Sequence, residues 1–399
     1  MSLDAARQSR VEDPLTHLMR GRASLPEQGA AALLMAVFVM SDVRRGVRSA
    51  DNAILVNAAH MYLGGTSPYE DRRFLYLPSS ALLAAPQTLL DAGVLRVVVP
   101  VVVAALVLVG WFFALRIFDV SARSRLAVYG VGGLPFFVPF RSELALGNWT
   151  VFSVVALPLT LFLASRGRWL GAAAATGAAI AFKPMLLPVL LLFVFARKWK
   201  ACAVLLGVPV VVSLIAVAFM PQPGLFLTKT IPFLLHGQDS YAKPYDASLI
   251  SVLPRLGVPE PVAYVIAVTL SGAVLYLAWL RWRRAGDPAL RVVETACLLM
   301  LATFPTFRPT FVHYALVVVL VLLASTSVPG AAARSPWVWL PLVPQITAID
   351  WPLAHTSKRH AFKDAVMFVG VGVALAWHCF SARPSRRAPE KVPIGSGPG

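Results

Sequence analysis

Residues 97–115 read VVVPVVVAALVLVGWFFAL, and that string leaves few folds open. It carries no charge and runs close to the ~20 residues an α-helix needs to cross a bilayer. It does not alternate apolar with polar, as a strand of a membrane β-barrel does. Apolar runs of this kind recur along the whole chain. Only 14% of its 399 residues are charged and 58% are hydrophobic, where a soluble domain has about a quarter charged. The pattern predicts an all-α polytopic membrane protein. Helices are expected near 29–43, 94–115, 126–140, 148–164, 169–182, 184–196, 201–219, 261–280, 290–304, 311–326, 336–347 and 361–380, about twelve in all. Those at 169–182 and 184–196 are short and read as broken or re-entrant. The domain reading is a cytoplasmic N-terminal segment 1–28, a transmembrane domain 29–380 and a disordered cytoplasmic tail 381–399, which is rich in Pro, Gly and Arg.

The net charge of +17 has a topological meaning here. Basic residues sit in short clusters between the apolar runs: Arg20 and Arg22, Arg116 to Arg125, Arg166 and Arg168, Arg197 to Lys200, Arg281 to Arg284, and the tail. Placing the N-terminus inside puts all of these clusters in the cytoplasm, as the positive-inside rule requires. Nucleic-acid binding is excluded on the same ground. The first 28 residues are polar and no small-residue cleavage site follows the first apolar run, so that run reads as a retained anchor. Cys202, Cys297 and Cys379 are far apart in apolar segments, with neither disulfide nor zinc spacing. No P-loop or Gly-rich dinucleotide motif is present. The segments left outside (44–93, 141–147, 183–184, 220–260, 308–313 and 348–360) are long and rich in Pro, aromatics and charge, so the working face is expected to be external. Residues 79–90 read as a short helix lying in the outer interface.

Several polar residues stand out in these outer segments. Asp51 follows the first helix and opens NAILVNAAHMYL. It reads either as a general base toward a hydroxyl or as the cap of the next helix. Gly64, Gly65 and Pro68 make a turn, followed by Tyr69, Phe74 and Tyr76, aromatics that can stack on a sugar or anchor at headgroup depth. Arg72 and Arg73 read as headgroup anchors or a phosphate grip. Lys183, ahead of Pro184, reads either as a snorkelling lysine or as the cation for a substrate phosphate. His313 sits at the mouth of another helix. Asn148, Lys229, Tyr241 and Ser248 are further candidates for substrate binding in outer segments.

The order of these pieces resembles the polyprenyl-phosphate-dependent glycosyltransferases of the GT-C fold, family eighty-seven. The carriers are DNAILVNAAHMYLGGTSPY (51–69), FLYLP (74–78) and GAAIAFKP, which ends at Lys183 and Pro184. Within that family, FKPMLLPVLLLFVFARKWKA (182–201) and FLTKTIPFLL (226–235) are similar to the actinobacterial branching α(1→3)-arabinofuranosyltransferases. Val56 departs from the pattern, which has tyrosine at that place.

The resemblance implies a multi-pass plasma-membrane enzyme with an external (periplasmic) active site and both termini cytoplasmic. It would move arabinofuranose from decaprenylphosphoryl arabinofuranose to a growing arabinan of arabinogalactan or lipoarabinomannan, with inversion. Asp51 carries over as general base, Lys183 and His313 as partners of the donor phosphate. Tyr69, Tyr76, Asn148, Lys229, Tyr241 and Ser248 are expected around the substrates. Membrane lipids are expected partners, no cofactor is implied, and any need for a divalent metal is left open. Two other readings compete. One is a polyprenyl-phosphomannose-dependent mannosyltransferase of lipomannan or phosphatidylinositol mannoside synthesis. The other is a lipid or sugar transporter, which calls for mid-membrane charges and two similar halves; the sequence has neither.

Overall fold

The computed structural model describes residues 13–45, 49–236, 242–347 and 357–381. Among them there is no strand, only two isolated bridges, Arg22 to Ser124 and Phe137 to Ile346. Four helices are long and apolar enough to cross a membrane: Ala92–Ile117, Trp199–Phe219, Glu260–Arg283 and His360–Ser381. Other apolar runs form shorter helices, such as Thr150–Ser165 and Trp169–Phe182. The run expected as one helix over 126–140 is broken. It becomes Arg125–Gly133, a 3₁₀ turn at Leu134–Phe136, and Val138–Leu146. Gly132, Gly133, Pro135 and Pro139 stand at that break, and a proline removes a helical donor and clashes with the preceding turn. The run at 184–196 likewise opens as a 3₁₀ segment, Pro184–Val189, before Leu190–Phe195.

Local chemistry sets several boundaries. Ser24 and Glu27 form a reciprocal capping box that starts the helix Leu25–Arg44. The Asp287 carboxylate accepts from the Leu290 amide at 2.9 Å and starts Pro288–Thr303. Close packing depends on small residues, which let helix backbones approach. A Cβ at Gly110 would lie 2.5 Å from the Val154 carbonyl oxygen, and one at Gly177 would lie 2.8 Å from that of Leu205.

The stretch 79–90 lies at the surface as expected only in its second half, where Pro86, Leu89 and Leu90 are exposed. Its helix, Pro78–Ala84, is inserted against the end of Trp169–Phe182, with Ser79 and Ser80 fully buried. The Ser79 hydroxyl donates to the Ala181 carbonyl at 2.7 Å, and that of Ser80 to the Phe182 carbonyl at 2.8 Å. A helix leaves its last carbonyls unpaired, and Pro184 has no N–H to offer them. The two serines satisfy them instead.

The bundle has two chemically different ends. At one, Arg166 donates to the Asp119 carboxylate at 2.7 Å and to the Arg116 carbonyl at 3.2 Å. The buried pair Arg281–Glu294 closes at 2.6 Å, and Glu294 also accepts from the Ala332 amide at 2.9 Å. The opposite end holds Asp51, Asn148, Lys183 and His313.

Candidate active site

The helix Ala50–Leu63 places Asp51 in its first turn. The cap position belongs to Ser49, whose φ is 40°, so Asp51 is not the cap. Its carboxylate instead benefits from the positive end of the helix. Asn52, one residue on, ties this turn to its surroundings. It donates to Gln87 at 2.8 Å and accepts from the Trp149 indole at 3.0 Å. The chain meets it again through Gly147, which ends Val138–Leu146 with φ 59°. A Cβ there would lie 2.6 Å from Val99 Cγ1 and 3.1 Å from Ser49 Cβ. Glycine alone lets this loop cross so near the start of the Asp51 helix, and Asn148 is delivered by that crossing.

The Asn148 side chain joins opposite charges. Its Nδ2 donates to Asp51 Oδ2 at 2.5 Å. Its Oδ1 accepts from Lys183 Nζ at 2.8 Å and from the Thr150 amide at 2.8 Å. Lys183 also donates to Thr150 Oγ1 at 2.8 Å, and its ammonium lies 4.5 Å from the centre of the Tyr314 ring. Burial pushes the Asp51 carboxyl above its ordinary range, while the Asn148 hydrogen bond and the Lys183 charge pull it partly back. A carboxyl so placed is a stronger base than a free one.

Asp51 walls two cavities. The smaller, of about 100 Å³, also meets Lys183, Asn148, Tyr76, Arg73 and Arg308 among apolar side chains that include Ile54, Met185 and Leu234. Arg73 is held by Asp71 at 2.8 Å and Arg308 approaches Asp246 at 3.8 Å. Asp246 in turn accepts from the Thr310 and Ser248 amides, both at 2.9 Å, which fixes the 308–310 loop. The larger cavity, of about 490 Å³, meets Asp51 together with Ser142, Tyr245, His313, His360, Lys363 and Asp364.

Lys183 and His313 therefore do not line one cavity. The 3₁₀ turn Val312–Tyr314 sends Tyr314 to the lysine and His313 to the other side. Beside His313 lies Glu143, which the sequence did not single out. It is fully buried, with an oxygen 3.9 Å from His313 Nε2. Neither its carboxyl oxygens nor the ring nitrogens of His313 make a hydrogen bond. Buried polar groups are normally paired, and exceptions call for an explanation such as a catalytic role.

The remaining expected residues separate cleanly. Tyr76 and Asn148 line the smaller cavity. Tyr69 is 1% exposed; its hydroxyl donates to the Tyr76 carbonyl at 3.1 Å, and its ring packs on Phe74 and Phe226, so it props the wall rather than facing a ligand. Ser248 is buried as the cap of Leu249–Val252. Lys229 is exposed and lines neither cavity. Tyr241 lies outside the described residues. Arg73 and Arg308 join the site in their place. Among the described residues no three His, Cys, Asp or Glu side chains are grouped to hold a metal ion.

The model of glycosyltransferase family 87 matches residues 74–305. An alpha-(1->3)-arabinofuranosyltransferase of Mycobacterium tuberculosis (strain CDC 1551 / Oshkosh) is 26% identical over 303 residues, which cover 73% of this chain and 67% of that protein. The protein of the same name from Mycolicibacterium smegmatis is 25% identical over 305 residues, 74% of this chain and 68% of its own length. That from Corynebacterium glutamicum is 25% identical over 314 residues, 75% and 73% respectively. No solved structure matches the chain.

Proposed function

This chain belongs to glycosyltransferase family 87 and is a membrane glycosyltransferase, and from that premise we propose that it transfers arabinofuranose from decaprenylphosphoryl arabinofuranose to an arabinan acceptor at the outer face of the plasma membrane. The observation that carries the reading is the Asp51–Asn148–Lys183 chain, a carboxylate and an ammonium bridged by one amide at the wall of a cation-lined, otherwise apolar cavity. The similarity to proteins named arabinofuranosyltransferases supports the choice of sugar.

In this mechanism Asp51 takes the proton from an acceptor hydroxyl as its oxygen attacks the anomeric carbon. The carbon–oxygen bond to the lipid phosphate breaks, and the phosphate leaves with the electron pair. Lys183, Arg73 and Arg308 neutralise the charge that grows on it. The apolar side chains between them suit the first isoprene units. Configuration inverts, since one displacement occurs.

The test uses purified protein in lipid, wild type and Asp51→Asn. Each receives decaprenylphosphoryl arabinofuranose or polyprenyl-phosphomannose, with an arabinan oligosaccharide or a mannolipid. Arabinose transfer that disappears in the folded variant supports donor and base together. Mannose transfer keeps the base and overturns the donor. An Asp51→Asn rate equal to wild type removes Asp51 as base.

A further inference from the structure

Asp51 is common to two cavities whose chemistry differs. The smaller gathers Lys183, Arg73 and Arg308 and suits an anion. The larger mixes donors and acceptors: His360, Lys363 and Asp364 from the last helix, together with Ser142, Tyr245 and His313. Its lining also includes the apolar Val138, Leu146 and Phe311. Hydrogen-bonding groups of both kinds among apolar side chains are what a polyhydroxyl ring, with its polar rim and C–H faces, requires.

A single inverting displacement adds a geometric demand. The incoming hydroxyl and the leaving phosphate lie on opposite faces of the anomeric carbon, and the base must touch the hydroxyl. A carboxylate standing at the border of a cation-lined cavity and a mixed one meets that demand. We propose that the larger cavity is the acceptor subsite, that it takes the end of a polyhydroxyl glycan, and that His360 and Lys363 hold the acceptor's hydroxyls there. The assignment rests on the glycosyl-transfer reading above.

Asp364 is held in place from behind. It is 5% exposed and accepts from Gln345 Nε2 at 2.8 Å. His360 is exposed and Lys363 half-buried, so both reach the cavity from the start of the span His360–Ser381. That span lies beyond residue 305, where the family match ends. The donor cavity draws Tyr76, Asn148 and Lys183 from within the match, and Asp51, Arg73 and Arg308 from outside it. The acceptor cavity also has Asp51 and His313 from outside the match, and it alone draws on the last helix, through His360, Lys363 and Asp364, which makes that helix a determinant of acceptor specificity.

The test takes the full chain in lipid, with decaprenylphosphoryl arabinofuranose and an arabinan oligosaccharide. Lys363→Met and His360→Ala are preferred to changes at Asp364, because neither side chain is buried. Each is expected to raise the acceptor KM about ten-fold, the size of one lost hydrogen bond, and to leave the donor KM unchanged. Arg308→Met, on the other cavity, is expected to do the reverse. Binding of the oligosaccharide alone, read by saturation-transfer NMR on wild type and Lys363→Met, gives the same answer without any donor. A donor KM that rises in Lys363→Met, or an acceptor KM and acceptor binding that stay at wild-type values in both variants, overturns the assignment. Wild-type protein that transfers neither arabinose nor mannose overturns the glycosyl-transfer reading itself, and the acceptor subsite with it.

Discussion

Removing the Asn148 amide is the most informative single change. Asn148→Ala deletes the donor to Asp51 at 2.5 Å and the acceptor for Lys183 at 2.8 Å, and leaves Lys183 bonded to Thr150. Hydrogen bonds to charged groups contribute about 1.5–3 kcal/mol each. Losing the one that orients Asp51 then slows transfer roughly ten- to hundred-fold. The pH dependence carries more information than the rate. The Asn148 hydrogen bond is one of the two influences that lower the Asp51 pKa against burial. Without it the carboxyl holds its proton to higher pH. A base works only when deprotonated, so activity is lost on the acid side, and that acid limb moves to higher pH in the variant. The pH dependence of kcat/KM, from initial rates with donor and acceptor well below KM, reads the limb of the free enzyme. Thermal unfolding checks that the fold survives. A variant that is slower but keeps the wild-type limb would refute the reasoning, because Asn148 would then matter for packing and not for the Asp51 charge.

Three further outcomes follow from other places in the fold. Glu143→Leu removes two unpaired buried oxygens; it is expected to leave the thermal midpoint unchanged or higher while transfer falls at least about ten-fold, and a lowered midpoint with normal turnover would make Glu143 purely structural. Gly110→Val drives side-chain atoms into the Val154 carbonyl, and should cost about 1–3 kcal/mol, seen as a lower midpoint in detergent. Glu294→Leu strands Arg281 at the far end of the bundle, at a cost of about 3–5 kcal/mol, yet turnover per folded molecule should match wild type; reduced turnover would tie that end to the chemistry.

Much of the site was legible because its chemistry sits at boundaries. Asp51 follows an apolar run, and Lys183 stands before a proline that must end a helix. What stayed hidden depends on distant partners. Glu143 in FRSELAL reads as an ordinary acid in a short outer segment. Its isolation becomes visible only when His313 is brought alongside it. Arg73 and Arg72 are neighbours with equal sequence standing, yet only Arg73 turns toward Asp51. Tyr69 looked like a sugar platform because aromatics in loops often are, and burial decided otherwise. The helices show the same limit. Pro100, Pro158 and Pro209 lie inside intact helices, whereas Pro135 marks a break. A proline states that one donor is missing; whether neighbouring packing tolerates the gap is a tertiary matter.

The short helix Thr150–Ser165 has a consequence for how substrates arrive. Its C-terminal end is level with that of Ala92–Ile117, because Arg166 bonds to Arg116 and Asp119. At 1.5 Å per residue the two are about 24 and 39 Å long, so the shorter one stops well below the top of the longer. The contact of Gly147 with Val99, rather than with Ala92, marks the step, about two turns down. Asn148 thus stands on a ledge about two turns below the N-terminal end of the longer helix. Under the proposed function, a lipid-linked donor would meet that step from the bilayer side and a glycan acceptor from the end of the bundle above it.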